Sequence, residues 1–304
     1  MRQSSALFQG VKVRPFHSLR HPLMFIWMCA GLLLAGAAWW WWRAPSAGDP
    51  TLSPLARRAL AEAPGPYHTA RSDTVEVYAM APEAAGAMLD EANFALVRIA
   101  GSLGVALPAR PVRVILVPGD ALWAQLGRER GFRPDSLALN WRDEVFLKDD
   151  GEQAARPDRV AHELVHFVLR EAYGDRVPLW LDEGLAGRVG LKVSRAYRAV
   201  RGRRVTGEWP GLPAESVEPL RVLTSRTALP DDPAAARAFY RAAEELVAVI
   251  EDRIGASQLP GYVAEVIAGA DWRAALEKRV NGTSLRGTDV DEVVRRRVAA
   301  PRKL

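Results

Sequence analysis

Residues 158–186 read DRVAHELVHFVLREAYGDRVPLWLDEGLA, and both the fold and the chemistry of this chain turn on them. Asp158 is a helix-capping residue type, and no Pro or Gly interrupts 159–169, so the spacing predicts a helix over 158–173. Positions four apart share one face of a helix, which aims the imidazoles of His162 and His166 at a single point. Two nitrogens on one rigid helix suit a tetrahedral Zn2+, one ion per chain, with positions left for a third protein ligand and a water. Glu163 stands beside that point, where a carboxylate acts as general base on the water. The chain has five histidines (His17, His21, His68, His162 and His166), and none follows His166. The longer pattern with a third, downstream histidine is therefore excluded, and a carboxylate must complete the ligand set. Glu171 lies on the same helix but is rotated away from the histidine face. Asp175 is near in sequence, and Asp182 and Glu183 lie on a second helix, predicted over 179–189, that can fold back beside the first. The residues alone leave these acids open.

The segment 177–186, V-P-L-W-L-D-E-G-L-A, follows H-E-L-V-H with 16 residues between His166 and Glu183. Together the two motifs resemble those of gluzincin zinc metallopeptidases, the aminopeptidases and the bacterial peptidase MA-like domains, over roughly 71–298. The resemblance implies a zincin-like domain in which Glu183 is the third zinc ligand. It also implies that 137–147 is an edge strand pairing with an extended peptide or protein substrate. Tyr240 matches the downstream tyrosine that donates a hydrogen bond to the developing oxyanion in the aminopeptidases. No G-x-M-E-N-type motif precedes His162, so the acid that anchors a substrate N-terminus in aminopeptidases has no counterpart. The likeness therefore points to the MA-like domain, and to hydrolysis of peptide bonds. A rival class is an inactive binding scaffold that keeps the zinc fold. The retained Glu163 favours the enzyme, since a purely structural zinc needs no base and fills its fourth position with protein.

Outward from the motif, strands are predicted at 74–78, 112–117 and 144–148, the last extending back towards 137. A helix at 82–103 opens on a proline and closes on Gly104, and a short helix follows over 121–126. Between 192 and 233 no pattern assigns an element. Further helices are expected at 233–254, 259–268, 272–280 and 290–298. Strands first and helices after make this an α+β fold, an N-terminal mixed sheet with C-terminal helices, in a domain spanning 72–300.

Residues 22–42 run 21 positions without a charge and end in four tryptophans, Trp39 to Trp42. That length spans a hydrocarbon core, and indoles favour the headgroup level, so one transmembrane signal anchor is expected there. Cleavage near Ala37 would leave a tryptophan run at a new N-terminus, which favours an uncleaved anchor. Residues 1–21 carry basic residues and no acid, which places that tail in the cytoplasm and the catalytic domain outside it, as in a periplasmic or other extracytoplasmic location. Residues 43–71, rich in Ala, Pro, Ser and Gly with a short helical patch near Ala56–Ala63, read as a linker or stalk. Five of the 41 Lys and Arg fall in 1–43, so the remainder has 36 bases against 36 acids. The formal charge of +5 belongs to the anchor region, and nucleic acid is not an expected partner. Cys29, the single cysteine, lies within the apolar span, which excludes a disulfide framework and a thiolate zinc site.

Overall fold

The structure, a computed structural model, describes residues 50–130, 136–149, 156–202, 208–280 and 289–303. The expected anchor at 22–42 and the basic tail lie outside the described residues. Among the described residues, no helix is long and apolar enough to cross a membrane.

The chain opens with helix α1 (Pro54–Ala61), then strands β1 (His68–Arg71) and β2 (Val75–Ala79). Helix α2 (Pro82–Leu103) crosses to β3 (Val112–Pro118), and α3 (Asp120–Arg130) leads on to β4 (Ala138–Trp141) and β5 (Glu144–Asp149). The five strands form one mixed sheet in the order β1-β2-β3-β5-β4. The inner pairs are parallel, and β1 and β4 run antiparallel along the two edges. Among the described residues seven α-helices follow, three long and four short: α4 (Arg156–Tyr173), α5 (Leu179–Val200), α6 (Leu220–Ser225), α7 (Pro233–Ile254), α8 (Leu259–Ile267), α9 (Trp272–Arg279) and α10 (Val290–Ala299). A small ribbon, β6 (Glu208–Trp209) with β7 (Arg302–Lys303), ties the C-terminus back to the middle of the chain. This is the α+β arrangement expected from the order of elements.

Side chains alternate across a strand, so the sheet buries two faces. Val77, Val114 and Leu147 belong to the main core, which continues through α2, α4 and α5. Tyr78, Ile115, Val117 and Phe146 belong to a second core, which α1 and α3 cover. Both faces being covered explains the near-continuous apolar run of β3.

The structure departs from the sequence expectation at two places. Residues 50–71, expected as part of a stalk, belong to the folded domain: Leu52, Leu55, Ala56 and Ala59 are at most 2% exposed in the second core, and 68–71 form an edge strand. The helical patch expected near 56–63 is present as α1, and what the sequence does not show is its packing on a sheet face built from segments far along the chain. Ser53 caps α1, and its backbone N–H donates to the Glu144 carboxylate at 2.7 Å while its hydroxyl donates to the second oxygen. Glu144 is fully buried, and burial pushes its carboxyl above the ordinary value against those hydrogen bonds. The second departure concerns 137–148, which is a hairpin, not one strand. Arg142 and Asp143 make a two-residue turn, with Arg142 at φ 57°, so that Trp141 faces Glu144 and only β4 lies at the edge.

Helix α5 also runs past its expected end to Val200. Gly187 and Gly190 lie in its interior, where they permit close packing: a Cβ at Gly190 would come within 3.0 Å of the His162 backbone nitrogen. At Gly184 a Cβ would meet the Ala243 carbonyl oxygen of α7 at 2.5 Å. The helices on either side of α5 are thus set against its backbone, and one of them carries the histidines.

Candidate metal centre

Helices α4 and α5 are joined through Gly174, at φ 65°, and a short turn, and they pack antiparallel: His162 lies by Gly190 and His166 by Asp182. Trp180 and Leu181, both at most 2% exposed, anchor the first turn of α5 in the main core. With those two buried, Asp182 and Glu183 turn toward the histidine face of α4.

The histidine Nε2 atoms lie 3.1 Å apart. Glu183 Oε2 lies 3.6 Å from Nε2 of His162 and 3.5 Å from Nε2 of His166. Tetrahedral zinc with bonds of about 2.0–2.1 Å requires its ligand atoms to be about 3.3–3.4 Å apart, so this triangle has the size of a zinc ligand set. The same Oε2 is buried and has no hydrogen-bond partner among the described residues, an arrangement that costs free energy unless a cation meets it. Among the described residues, these three form the only group of His, Cys, Asp or Glu side chains close enough to share an ion. The residues fit the metal.

Asp182 takes a different part. Its Oδ1 lies 2.8 Å from His166 Nδ1, which therefore donates to the carboxylate and leaves Nε2 as a lone pair facing the triangle. Sequence reasoning had Asp182 only as a rival ligand. Its position next to Glu183 was the available signal, and the packing of α4 on α5 separates the two roles.

The electrostatics follow from burial and proximity. Burial raises the Glu183 carboxyl, but the His166 and His162 rings outweigh it and hold the group well below the ordinary carboxylate range. Burial lowers His166, and Glu183 and Asp182 outweigh that to raise it well above the usual imidazole value. Glu163, 9% exposed, is pushed up by burial against the opposing pull of the two histidines, which strengthens it as a base.

Glu163, Tyr240 and the three ligand candidates all line one cavity of about 480 Å3. One wall of that cavity is the edge strand, through Ala138, Leu139 and Asn140. Asn140 Nδ2 donates to the backbone carbonyl of Glu163 at 3.1 Å, fixing the strand to the motif helix, a link no sequence pattern announced. Tyr240, on α7, is half-buried with its ring edge-on to Phe239 at 6.2 Å. All five residues singled out in the sequence are thus gathered around one space. Comparison with protein-family models finds none that matches the chain, and comparison with curated proteins finds no match either.

Proposed function

We propose that the chain is a membrane-anchored zinc metallopeptidase of the gluzincin type, similar to peptidase MA-like domains, that hydrolyses peptide bonds. One observation carries the reading: two histidine nitrogens and an unpartnered, buried carboxylate oxygen converge at zinc-ligand spacing in a cavity that also holds Glu163. His162, His166 and Glu183 would hold the ion. Bound zinc supplies Lewis acidity, polarising a carbonyl and lowering the pKa of a water to near ~7.

The protein's own groups do the rest. Glu163 accepts the attacking water's proton on its carboxylate and returns it to the leaving amine nitrogen. Tyr240 donates its hydroxyl hydrogen to the oxygen on which charge develops. The outer edge of β4, the last strand of the sheet, offers backbone N–H and C=O groups to a substrate strand, holding the scissile bond along the cavity. Asp182 keeps the His166 ring in one tautomer and orientation.

The anchor belongs to the same proposal. It rests on the uncharged stretch 22–42 and its tryptophan run, with the N-terminus cytoplasmic and the catalytic domain extracytoplasmic.

The test uses the full chain purified in detergent without chelators. Zinc is measured, and proteolysis of a mixed peptide pool is compared with that of Glu163→Gln. One zinc per chain, with activity lost in the variant, is expected. Activity that survives Glu163→Gln overturns the mechanism, and absence of zinc overturns the site. One zinc per chain with no cleavage by wild type favours the scaffold.

A further inference from the structure

A second cavity, of about 410 Å3, opens from the same centre and shares His162, Glu183 and Tyr240 with the first. Its walls are largely aliphatic, from Ala186 and Leu191 of α5 and Leu212 of the segment beside the C-terminal ribbon. Its charged side chains are three arginines and three acids, Asp158, Glu183 and Glu244. Arg237 and Arg241 sit four residues apart on one face of α7, which also brings Tyr240 to the cavity, and Arg302 enters from β7.

The acids beside these arginines are shared with further guanidinium groups. Asp158 is engaged by Arg198 and by the Ser194 hydroxyl. Glu244 is shared, in contact with Arg302 and 3.9 Å from Arg241. Arg241 reaches Glu245 at 3.2 Å, but Glu245 also faces Arg297 at 3.9 Å. Arg241 Nη1 is buried with no hydrogen bond among the described residues, although its side chain is only 13% exposed. Burial lowers the pKa of Arg241, helped by the charge of Arg302 and against the opposing pull of Glu245 and Glu244. Gly187 contributes by having no side chain: a Cβ there would strike Glu244 Cγ at 2.9 Å, so the glycine lets Glu244 lie against α5 beneath the arginines.

An aliphatic passage ending in guanidinium groups that share their acids, one of them with a buried nitrogen lacking a hydrogen bond among the described residues, suits methylenes capped by a carboxylate. A purely apolar group would seal the Arg241 nitrogen from water without giving it a partner. We propose that this cavity is a substrate subsite for a carboxylate, carried on an acidic side chain beside the scissile bond or at the C-terminus of the peptide. The inference rests on the peptidase reading above and names its substrate class.

Three short peptides separate the sources: one with an internal Glu and an amidated C-terminus, the same with Gln, and the Gln peptide with a free C-terminal carboxylate. Each is titrated by calorimetry into the full chain carrying Glu163→Gln, which keeps the subsite and slows turnover. At least one carboxylate peptide is expected to bind about tenfold more tightly than the Gln amide, the scale of one charge-assisted hydrogen bond. Adding Arg241→Gln removes that ratio, and Arg241→Lys keeps part of it. Arg237→Gln, at an exposed position, lowers the ratio without disturbing the buried cluster. Equal binding of all three peptides, or a preference that survives both glutamine variants, overturns the subsite. Cleavage of the same peptides by wild type reports separately on the peptidase reading: a preference without cleavage leaves the subsite standing and removes the reading.

Discussion

Asp182→Asn isolates what the second carboxylate does. The amide keeps the size of the side chain, and its oxygen still accepts from His166 Nδ1 across 2.8 Å, so the ring keeps its orientation. What disappears is the negative charge behind the imidazole, which makes Nε2 a better donor to a cation. A hydrogen bond to a charged group is worth about 1.5–3 kcal/mol. Asp182 is 31% exposed, which screens the charge and favours the lower part of that range. The expected result is a loss in zinc affinity of about tenfold, the lower end of what outer partners of metal-bound histidines contribute. The assay is competition for Zn2+ against a chromophoric chelator at fixed pH, with Glu183→Gln in parallel. Glu183→Gln removes a ligand charge and is expected to lose far more. If Asp182→Asn abolishes zinc binding while Glu183→Gln costs tenfold or less, the roles of the two acids are the reverse of those argued. No change in Asp182→Asn refutes the electrostatic reasoning.

Gly190→Ala places a methyl 3.0 Å from the His162 backbone nitrogen, where neither helix has a flexible side chain to yield. It is expected to destabilise by about 1–3 kcal/mol, read from urea unfolding, and to weaken zinc binding by displacing α4. Leu55→Ala, at 2% exposure in the second core, is expected to cost about 2–5 kcal/mol in the same assay, whereas a stalk residue would cost nothing. Glu144→Gln addresses pH. Burial raises the folded-state carboxyl, so the folded protein binds the proton more tightly than the unfolded chain, and wild-type stability falls as pH rises from about 4.5 through the raised value. Unfolding midpoints of the glutamine variant lack that decline, and a wild type that gains stability over the same interval contradicts the assignment.

The local half of this protein is legible in its sequence. Pro82 and Gly104 bracket α2 as expected, and the left-handed Gly104 (φ 65°) closes it. Pro233 opens α7 behind an Asp232 cap, whose side chain accepts from the Ala235 N–H at 2.6 Å. The convergence of His162 and His166 is of the same kind, because a four-residue repeat on a helix is settled by backbone geometry alone. Such features depend on neighbours within one turn. What lies between distant segments is different. Asp182 and Glu183 are adjacent acids in the first turns of one helix, and only the antiparallel packing of α5 on α4 sends one to a ring nitrogen at the back and the other to the front. The arginine-lined cavity joins residues 186, 212, 241 and 302, which no periodicity connects. Residues 50–71 look like a tether in composition, and become part of the domain because the sheet has a second apolar face that α1 covers. The sequence alone determined that two imidazoles meet and where the main helices begin. The tertiary structure decided which carboxylate faces them and what surrounds the centre, because those outcomes depend on which buried surfaces find each other across the chain.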